Sequence, residues 1–321
     1  MAVYTVIEDG ELADFLGLYD LGQLLSFQGI AEGVENSNFL LRTERANYIL
    51  TLYEKRVNEA DLPFFLGLMG HLGAAGLSCP LPVADQKGRV LGRCAGRPAA
   101  IVSFLNGTSA AYPGTAKCQA LGRALAQLHE AASDFSLTRP NALGPESWPG
   151  LLASVDRDPA DLPAGLRAAA AEKLGEILAS WPDGLPEGII HADLFPNNVL
   201  FVGDQLTGLI DFYFACRDIL SLDLAICLNS WCFEPDGSFN ITKSRALLAG
   251  YESVRKLSAE ETAALPVLCA GAAMRFFLTR LYDWLNTPEG ALVKPLNPMD
   301  YWAKLRFHAH ASGPQAYGIG L

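Results

Sequence analysis

The chain has 321 residues, half of them hydrophobic and 18% charged, which is enough apolar material for one large domain or two lobes and too much for a disordered chain. Its 24 Lys and Arg against 35 Asp and Glu leave a formal charge of -11, which repels nucleic-acid phosphates and anionic membranes and makes a small molecule the expected partner. Seven dispersed cysteines without a CxxC pair exclude a zinc scaffold and read as buried free thiols in a reducing compartment.

The start, MAVYTVIEDGELADF, lacks the basic and apolar regions of a signal peptide. The longest apolar stretch, 263–278, contains Arg275 and falls short of the ~20 residues a spanning helix needs. A cytoplasmic protein without an anchor or an obligate protein partner is expected.

An acidic amphipathic segment occupies 11–19. Residues 38–41 and 48–53 are rich in apolar and aromatic side chains, flank a polar stretch at 43–47 and suggest a hairpin. Residues 62–74 have helical apolar spacing, with Gly76 as a stop signal. Residues 83–91 carry a DQKG turn between two expected short strands, and 99–105 reads as a further strand.

After Asn106-Gly107 the character changes, since 117–131 and 166–180 are alanine-rich with helical periodicity. Three more helices are expected at 220–231, 244–254 and 260–285, the last with a break at Pro266. Gly122, Leu125, Leu128 and His129 share a helical face and read as core, whereas His308 and His310 sit in a Gly-Pro-containing tail and read as solvated. The fold class is therefore α+β, with a small sheet-containing N-terminal lobe over 1–105 and a larger, mainly helical lobe over 106–321.

The most informative stretch is GIIHADLFPNNVLFVGDQLTGLIDF, 188–212, in which two short apolar runs flank Gly203-Asp204-Gln205 as a hairpin. Pairing about a centre between 204 and 205 sets Asn198 beside Asp211 at the open end, with Cβ atoms ~5 Å apart. An amide oxygen and a carboxylate so placed suit Mg2+, which takes a few protein oxygens and completes its shell with water and phosphates. Asp193, on the preceding loop, faces the same mouth and can accept a proton from a substrate hydroxyl. His191 is expected to hold the loop by hydrogen bonding.

The H-x-D-x-x-x-x-N element followed by Asp211-Phe212 resembles the catalytic and metal-binding elements of the protein kinase-like superfamily. A protein-kinase HRD is replaced by His191-Ala192-Asp193 and no APE follows, so the chain looks like the aminoglycoside phosphotransferase and choline kinase branch. Within it, the segments MAVYT, GIAEGVENSNFLL, ILTLYEKR, DLPFFLGLM, HADLFPNNVLF and RFFLTRLYDW are similar to the bacterial homoserine kinases of phosphotransferase type. They run across nearly the whole chain.

That resemblance implies a bilobal fold and transfer of the ATP γ-phosphate to L-homoserine, with Asp193 as catalytic base, Asn198 and Asp211 as magnesium ligands and Asp223 as a brace of the catalytic loop. The loop 29–38, with Gly29, Gly33, Ser37 and Asn38, stands where the family covers the nucleotide. The family's strand lysine falls near Thr51, and Lys55 shares that side-chain parity and reads either as the substitute contact for phosphate or as a solvated strand end. Homoserine's carboxylate calls for an arginine. Arg275 and Arg280 point to different helix faces, and Arg275 is favoured. The rival readings are a choline, aminoglycoside or methylthioribose kinase, a hydrolase with His191, Asp193 and Asp211 on one metal ion, and a non-catalytic nucleotide binder.

Overall fold

A computed structural model describes residues 5–30, 36–54, 57–288 and 294–320. Gly33, Lys55 and the first four residues of MAVYT lie outside them.

The chain opens with α1 (Asp9–Leu16), closed by a capping box in which Glu8 and Glu11 reciprocate. Then come β1 (Leu24–Gly29), β2 (Ser37–Thr43), β3 (Asn47–Leu52), α2 (Leu62–Ala74), β4 (Gly92–Cys94) and β5 (Arg97–Ser103). The five strands form one antiparallel sheet in the order β1-β2-β3-β5-β4. The hairpin expected around 43–47 is β2–β3, with Arg42 opposite Asn47, and α2 ends before Gly76 at φ +87°. Residues 83–91 depart from expectation. Asp85 takes the amides of Lys87 and Arg89 and the Arg89 guanidinium, so its carboxylate folds the DQKG segment into a turn without flanking strands.

Strand alternation gives the sheet two faces. Leu50, Leu52, Ala99 and Ile101 join Phe39, Leu41 and α1 in a small core, while Tyr53, Ala100 and Val102 join α2 in the large core that continues into the helical part. Thr51 and its register partner Asn38 therefore lie on the same face as Tyr53, towards the helical part.

The second half contains α3 (Thr115–Ala131), α4 (Trp148–Ala153), α5 (Leu166–Ala179), β6 (Glu187–Ile190), β7 (Val199–Val202), β8 (Gln205–Leu209), β9 (Cys216–Ile219), α6 (Leu220–Trp231), α7 (Ile241–Glu252), α8 (Ala259–Asn286) and α9 (Met299–His310). β6 pairs with β9 and β7 with β8.

Pro266 does not break α8, which runs unbroken from a Ser258/Glu261 capping box. Burial of Leu265, Leu268, Met274, Phe277 and Leu281 along its length offsets the ~3 kcal/mol that an interior proline costs. By length and composition α8 would cross a membrane, yet 67% of its apolar window is buried inside the protein. All seven cysteines are buried and free.

α9 replaces the expected solvated tail. His308 is buried, with Nδ1 2.8 Å from the Tyr317 hydroxyl and Nε2 3.0 Å from Asn229 Oδ1, whereas His310 is exposed and bonds the Arg306 carbonyl. Burial, aided by the Lys304 charge, pulls the His308 pKa down to about 3. The unfolded chain, with an ordinary value of about 6.5, binds that proton first. Stability is therefore full above pH ~6.5 and falls as the pH drops towards 3. Denaturation midpoints compared at pH 7 and 5 should fall less in His308→Gln than in the unaltered chain; equal falls would remove His308 as a contributor.

Candidate active site

Asp223, in the first turn of α6, is wholly buried and organises the loop that carries Asp193. Its two oxygens accept the backbone amides of His191 at 2.7 Å and Ala192 at 2.9 Å, and His129 Nε2 lies 3.3 Å away. Burial pushes its carboxyl up, but the hydrogen bond and charge of His129, together with His191, outweigh that and hold it below the usual carboxylate range. The other side of the His129 ring meets the Tyr251 hydroxyl at 2.8 Å, so this histidine is the packed core residue expected and also a support of Asp223.

Ala192 shows why such a brace is needed. Its φ of +63° is left-handed, which costs a residue with a Cβ about 1–2 kcal/mol. Both of its backbone polar groups are pinned, the N–H by Asp223 and the carbonyl by Arg275 Nη1 at 2.7 Å. The structure thus gives Arg275 a different partner from the substrate carboxylate expected of it. It is 4% exposed, stacks 4.6 Å over Phe276, and holds the loop from behind.

His191 is also fully buried. Its Nε2 lies 3.0 Å from the Ile210 carbonyl, so Nε2 carries the proton, and burial lowers its pKa despite the Asp223 charge. A neutral imidazole committed to main chain is a structural tie between the loop and the end of β8. Among the described residues no group of three His, Cys, Asp or Glu could hold an ion.

Asn198 ends the 3-10 turn Pro196–Asn198. Its Nδ2 donates to the Asp193 carbonyl at 2.8 Å and to Asp193 Oδ2 at 3.1 Å, which brings amide and carboxylate into contact and leaves Oδ1 as the atom for a cation.

The expected pairing of Asn198 with Asp211 is out by one residue. Val202 faces Gln205 about a turn at Gly203-Asp204, one residue earlier than expected, and a bulge between Leu200 and Phe201 then shifts the register so that Val199 faces Leu209 and Asn198 lies opposite Ile210, whose amide donates to its carbonyl at 3.0 Å. The bulge has a cause outside the hairpin. The Phe201 amide and carbonyl are both taken by Thr108 of the connecting segment, and the displaced Thr207 hydroxyl donates to the Asn106 carbonyl at 2.7 Å. Gly107, at φ +134°, permits this approach, because a Cβ there would collide with Thr207 and the Phe201 backbone. Asp211 instead reaches its place through a left-handed backbone, φ +66°, which an aspartate tolerates better than most residues.

Across the cleft, Ser37 is fully buried and donates to Glu54 Oε1 at 2.7 Å, so its hydroxyl proton is committed inside the sheet lobe rather than turned to a phosphate. Asn38 Oδ1 accepts the Thr51 hydroxyl at 2.8 Å. Gly29 closes β1 opposite Phe39, and the Ile30 amide reaches the Asn38 carbonyl at 2.8 Å, so the loop expected over the nucleotide joins β1 to β2. From the catalytic half, Tyr213 meets Tyr53 with hydroxyls 3.3 Å apart. Burial lifts both phenols, Tyr213 to about 12, so both stay protonated at neutral pH and can donate.

Residues 26–257 match the model of the phosphotransferase enzyme family. The chain belongs to that family. This phosphotransferase is 59% identical over 319 residues to the homoserine kinase of Xanthobacter autotrophicus, covering 99% of each chain. It is 57% identical over 321 residues to that of Rhizobium johnstonii, covering 100% of each. Among solved structures it is similar to an amicoumacin kinase in complex with AMP-PNP, Ca2+ and Ami, with a TM-score of 0.71 at 16% identity over 94% of this chain and 92% of that one. A spectinomycin phosphotransferase in complex with ADP and spectinomycin follows at a TM-score of 0.67 and 12% identity over 98% of each chain. The phosphotransferase thus has the protein kinase-like fold, with an antiparallel sheet followed by a largely helical remainder.

Sequence reading missed Tyr53 and Tyr213 as lobe-bridging groups and His129 as a support of Asp223. The only local signal was that Tyr213 directly follows the Asp211-Phe212 pair.

Proposed function

We infer that the chain is a homoserine kinase, transferring the γ-phosphate of ATP to the hydroxyl of L-homoserine to give O-phospho-L-homoserine and ADP on the route to threonine. The observation that carries the substrate is the 59% identity with a homoserine kinase over 99% of both chains. The enzyme works in the cytoplasm, where its seven thiols remain reduced. Residues 1–105 form the nucleotide lobe and 106–321 the catalytic and substrate lobe.

In this reading Asp193 orients the homoserine hydroxyl and accepts its proton as the oxygen attacks the γ-phosphorus and the bond to the β-phosphate bridging oxygen breaks. Asn198 Oδ1 and the Asp211 carboxylate hold Mg2+; two oxygen donors beside a phosphate site suit a hard, water-retaining ion, and a soft or thiolate-seeking metal finds no ligands here. When bound, Mg2+ neutralises charge on the transferring phosphate. Asn198 Nδ2 meanwhile keeps the Asp193 carboxylate turned to the same mouth.

The substrate carboxylate falls to Arg280 rather than Arg275. Arg280 stacks 4.6 Å over the Tyr301 ring, on which Lys304 Nζ also lies at 4.3 Å, and the charge of Asp193 is felt at Tyr301. Burial first, and then the Arg280 charge, pull Lys304 down to about 8, so two cations crowd one ring although Asp300 Oδ2 meets Arg280 Nη1 at 3.2 Å. A bound carboxylate would offset that repulsion.

A panel of homoserine, choline and kanamycin tests the reading, with homoserine expected as the phosphorylated acceptor. Arg280→Gln should raise the KM for homoserine about ten-fold or more and leave the KM for ATP unchanged. Phosphorylation of choline but not homoserine would overturn the assignment, and an unchanged homoserine KM would remove Arg280.

A further inference from the structure

Behind Asp223 a chain of polar groups runs away from the catalytic loop and through the helices that pack on it. His129 of α3 meets Asp223 with Nε2 at 3.3 Å and the Tyr251 hydroxyl with Nδ1 at 2.8 Å, so both ring nitrogens are held. Tyr251 lies in the last turn of α7, is fully buried, and accepts Arg255 Nη1 at 3.1 Å on the same hydroxyl. Arg255 Nη1 also donates to Glu261 Oε1 at 2.9 Å, while Glu261 Oε2 takes the Ser258 amide in the capping box that opens α8. From α8, Arg275 returns to the Ala192 carbonyl, so the chain starts and ends at the loop that carries Asp193.

Two features separate Tyr251 from ordinary core packing. First, α3 and α7 touch backbone to backbone: a Cβ on Gly122 would collide with the Leu247 carbonyl, and one on Gly250 with the Gln119 carbonyl. Gly122 stands seven residues before His129, on the same face of α3, and Gly250 adjoins Tyr251, so ring and phenol are brought together by main chain that has no room to slide. Second, among the described residues His129 is the one side chain that bonds Asp223, whose other partners are the amides of His191 and Ala192. The bond from His129 to Asp223 is the longer of the ring's two, so the shorter one to Tyr251 sets how the ring is turned. A tilted imidazole would take from Asp223 its side-chain partner and loosen the carboxylate that holds Ala192 in its left-handed backbone.

We propose that Tyr251 is a positioning residue for phosphoryl transfer: its hydroxyl fixes the His129 ring with Nε2–H on Asp223, and so fixes the loop that presents Asp193. The proposal rests on the kinase reading in that Asp193 is the base, and it holds whichever alcohol is the acceptor. Without the hydroxyl a phenyl ring still fills the space beside His129, where the two rings stand 5.7 Å apart at 71°, but Nδ1 loses its partner and the imidazole is held at one nitrogen alone.

The test compares Tyr251→Phe, His129→Gln and the double variant in the full chain, with kinetics run below the lowest melting temperature of the set. Tyr251→Phe should lower kcat about three- to ten-fold, the worth of one hydrogen bond, and leave the KM for Mg-ATP within about two-fold. The double variant should be no slower than His129→Gln alone, because Tyr251 acts through that ring. Proton NMR supplies a readout that packing would not move: the buried Nε2–H of His129, assigned by its absence in His129→Gln, should exchange with water about ten-fold faster in Tyr251→Phe. An unchanged kcat or an unchanged exchange rate in Tyr251→Phe, whatever its melting temperature, would overturn the proposal and leave Tyr251 a packing residue. Losses that multiply in the double variant would overturn it too, by giving Tyr251 a route that bypasses His129. The exchange is read without nucleotide or acceptor, so a wrong acceptor assignment shows in the substrate panel and not here.

Discussion

Replacing Asp193 by alanine is expected to lower kcat by about 100- to 10,000-fold, the range lost with a positioned general base, while Mg-ATP still binds. The two effects separate because Asp193 and Asp211 reach the mouth from different elements. Asp193 lies on a loop pinned by Asp223 and Arg275, whereas Asp211 follows β8 in a backbone conformation of its own. Removing the Asp193 side chain takes one acceptor from Asn198 Nδ2, which keeps the Asp193 carbonyl at 2.8 Å, so the Asn198 oxygen stays in place. Single-turnover phosphorylation with a parallel titration of a fluorescent ATP analogue reads both quantities. Turnover within three-fold of the unaltered enzyme would remove Asp193 as the base.

Asp223→Asn is expected to be nearly as severe for another reason. The carboxylate accepts two main-chain amides and faces His129, all buried. An asparagine keeps one acceptor and turns an N–H donor towards the other amide. Breaking a buried charged network costs about 3–5 kcal/mol, which for a chain of this size lowers Tm by roughly 5–15 °C. Because Ala192 then loses the bond that holds its left-handed backbone, kcat should fall too. The pH dependence has a definite sign. A carboxyl whose folded pKa lies below its unfolded value of about 3.9 contributes its full stability above that value and loses it only as the pH falls further. The stability gap between the two proteins should therefore be constant from pH 8 to 5 and close only below about pH 4. Calorimetry across that range with kcat at neutral pH decides the matter; a lowered Tm with unchanged kcat would mean that Asp223 stabilises the lobe without setting Asp193.

The contact between Asp193 and Asn198 was legible because it is local. His191, Asp193 and Asn198 lie within eight residues, and the apolar runs around Gly203 announce a hairpin without help from elsewhere. The register failed at the turn itself, because the chain reverses about Gly203-Asp204, one residue earlier than expected, and the bulge at Phe201, which Thr108 bonds from more than 90 residues away, recovers half of the offset. Arg275 failed for a nonlocal reason. Periodicity told which helix carries it but not that the Ala192 carbonyl waits 83 residues upstream. His308 was misread because a Gly and a Pro after it suggested a tail, although the partners that bury it, Asn229 and Tyr317, lie on other segments.

The amino-acid order alone determined the two-part architecture, most helices and which acid, amide and carboxylate are the candidates for the site, because propensity, periodicity and motif spacing act over a few residues. Tertiary structure decided which groups hold them: Asp223 and Arg275 on Ala192, His129 behind Asp223, and Tyr213 against Tyr53. Those contacts join residues 30 to 160 positions apart, and only the packing of the large core brings such distant groups within hydrogen-bonding reach.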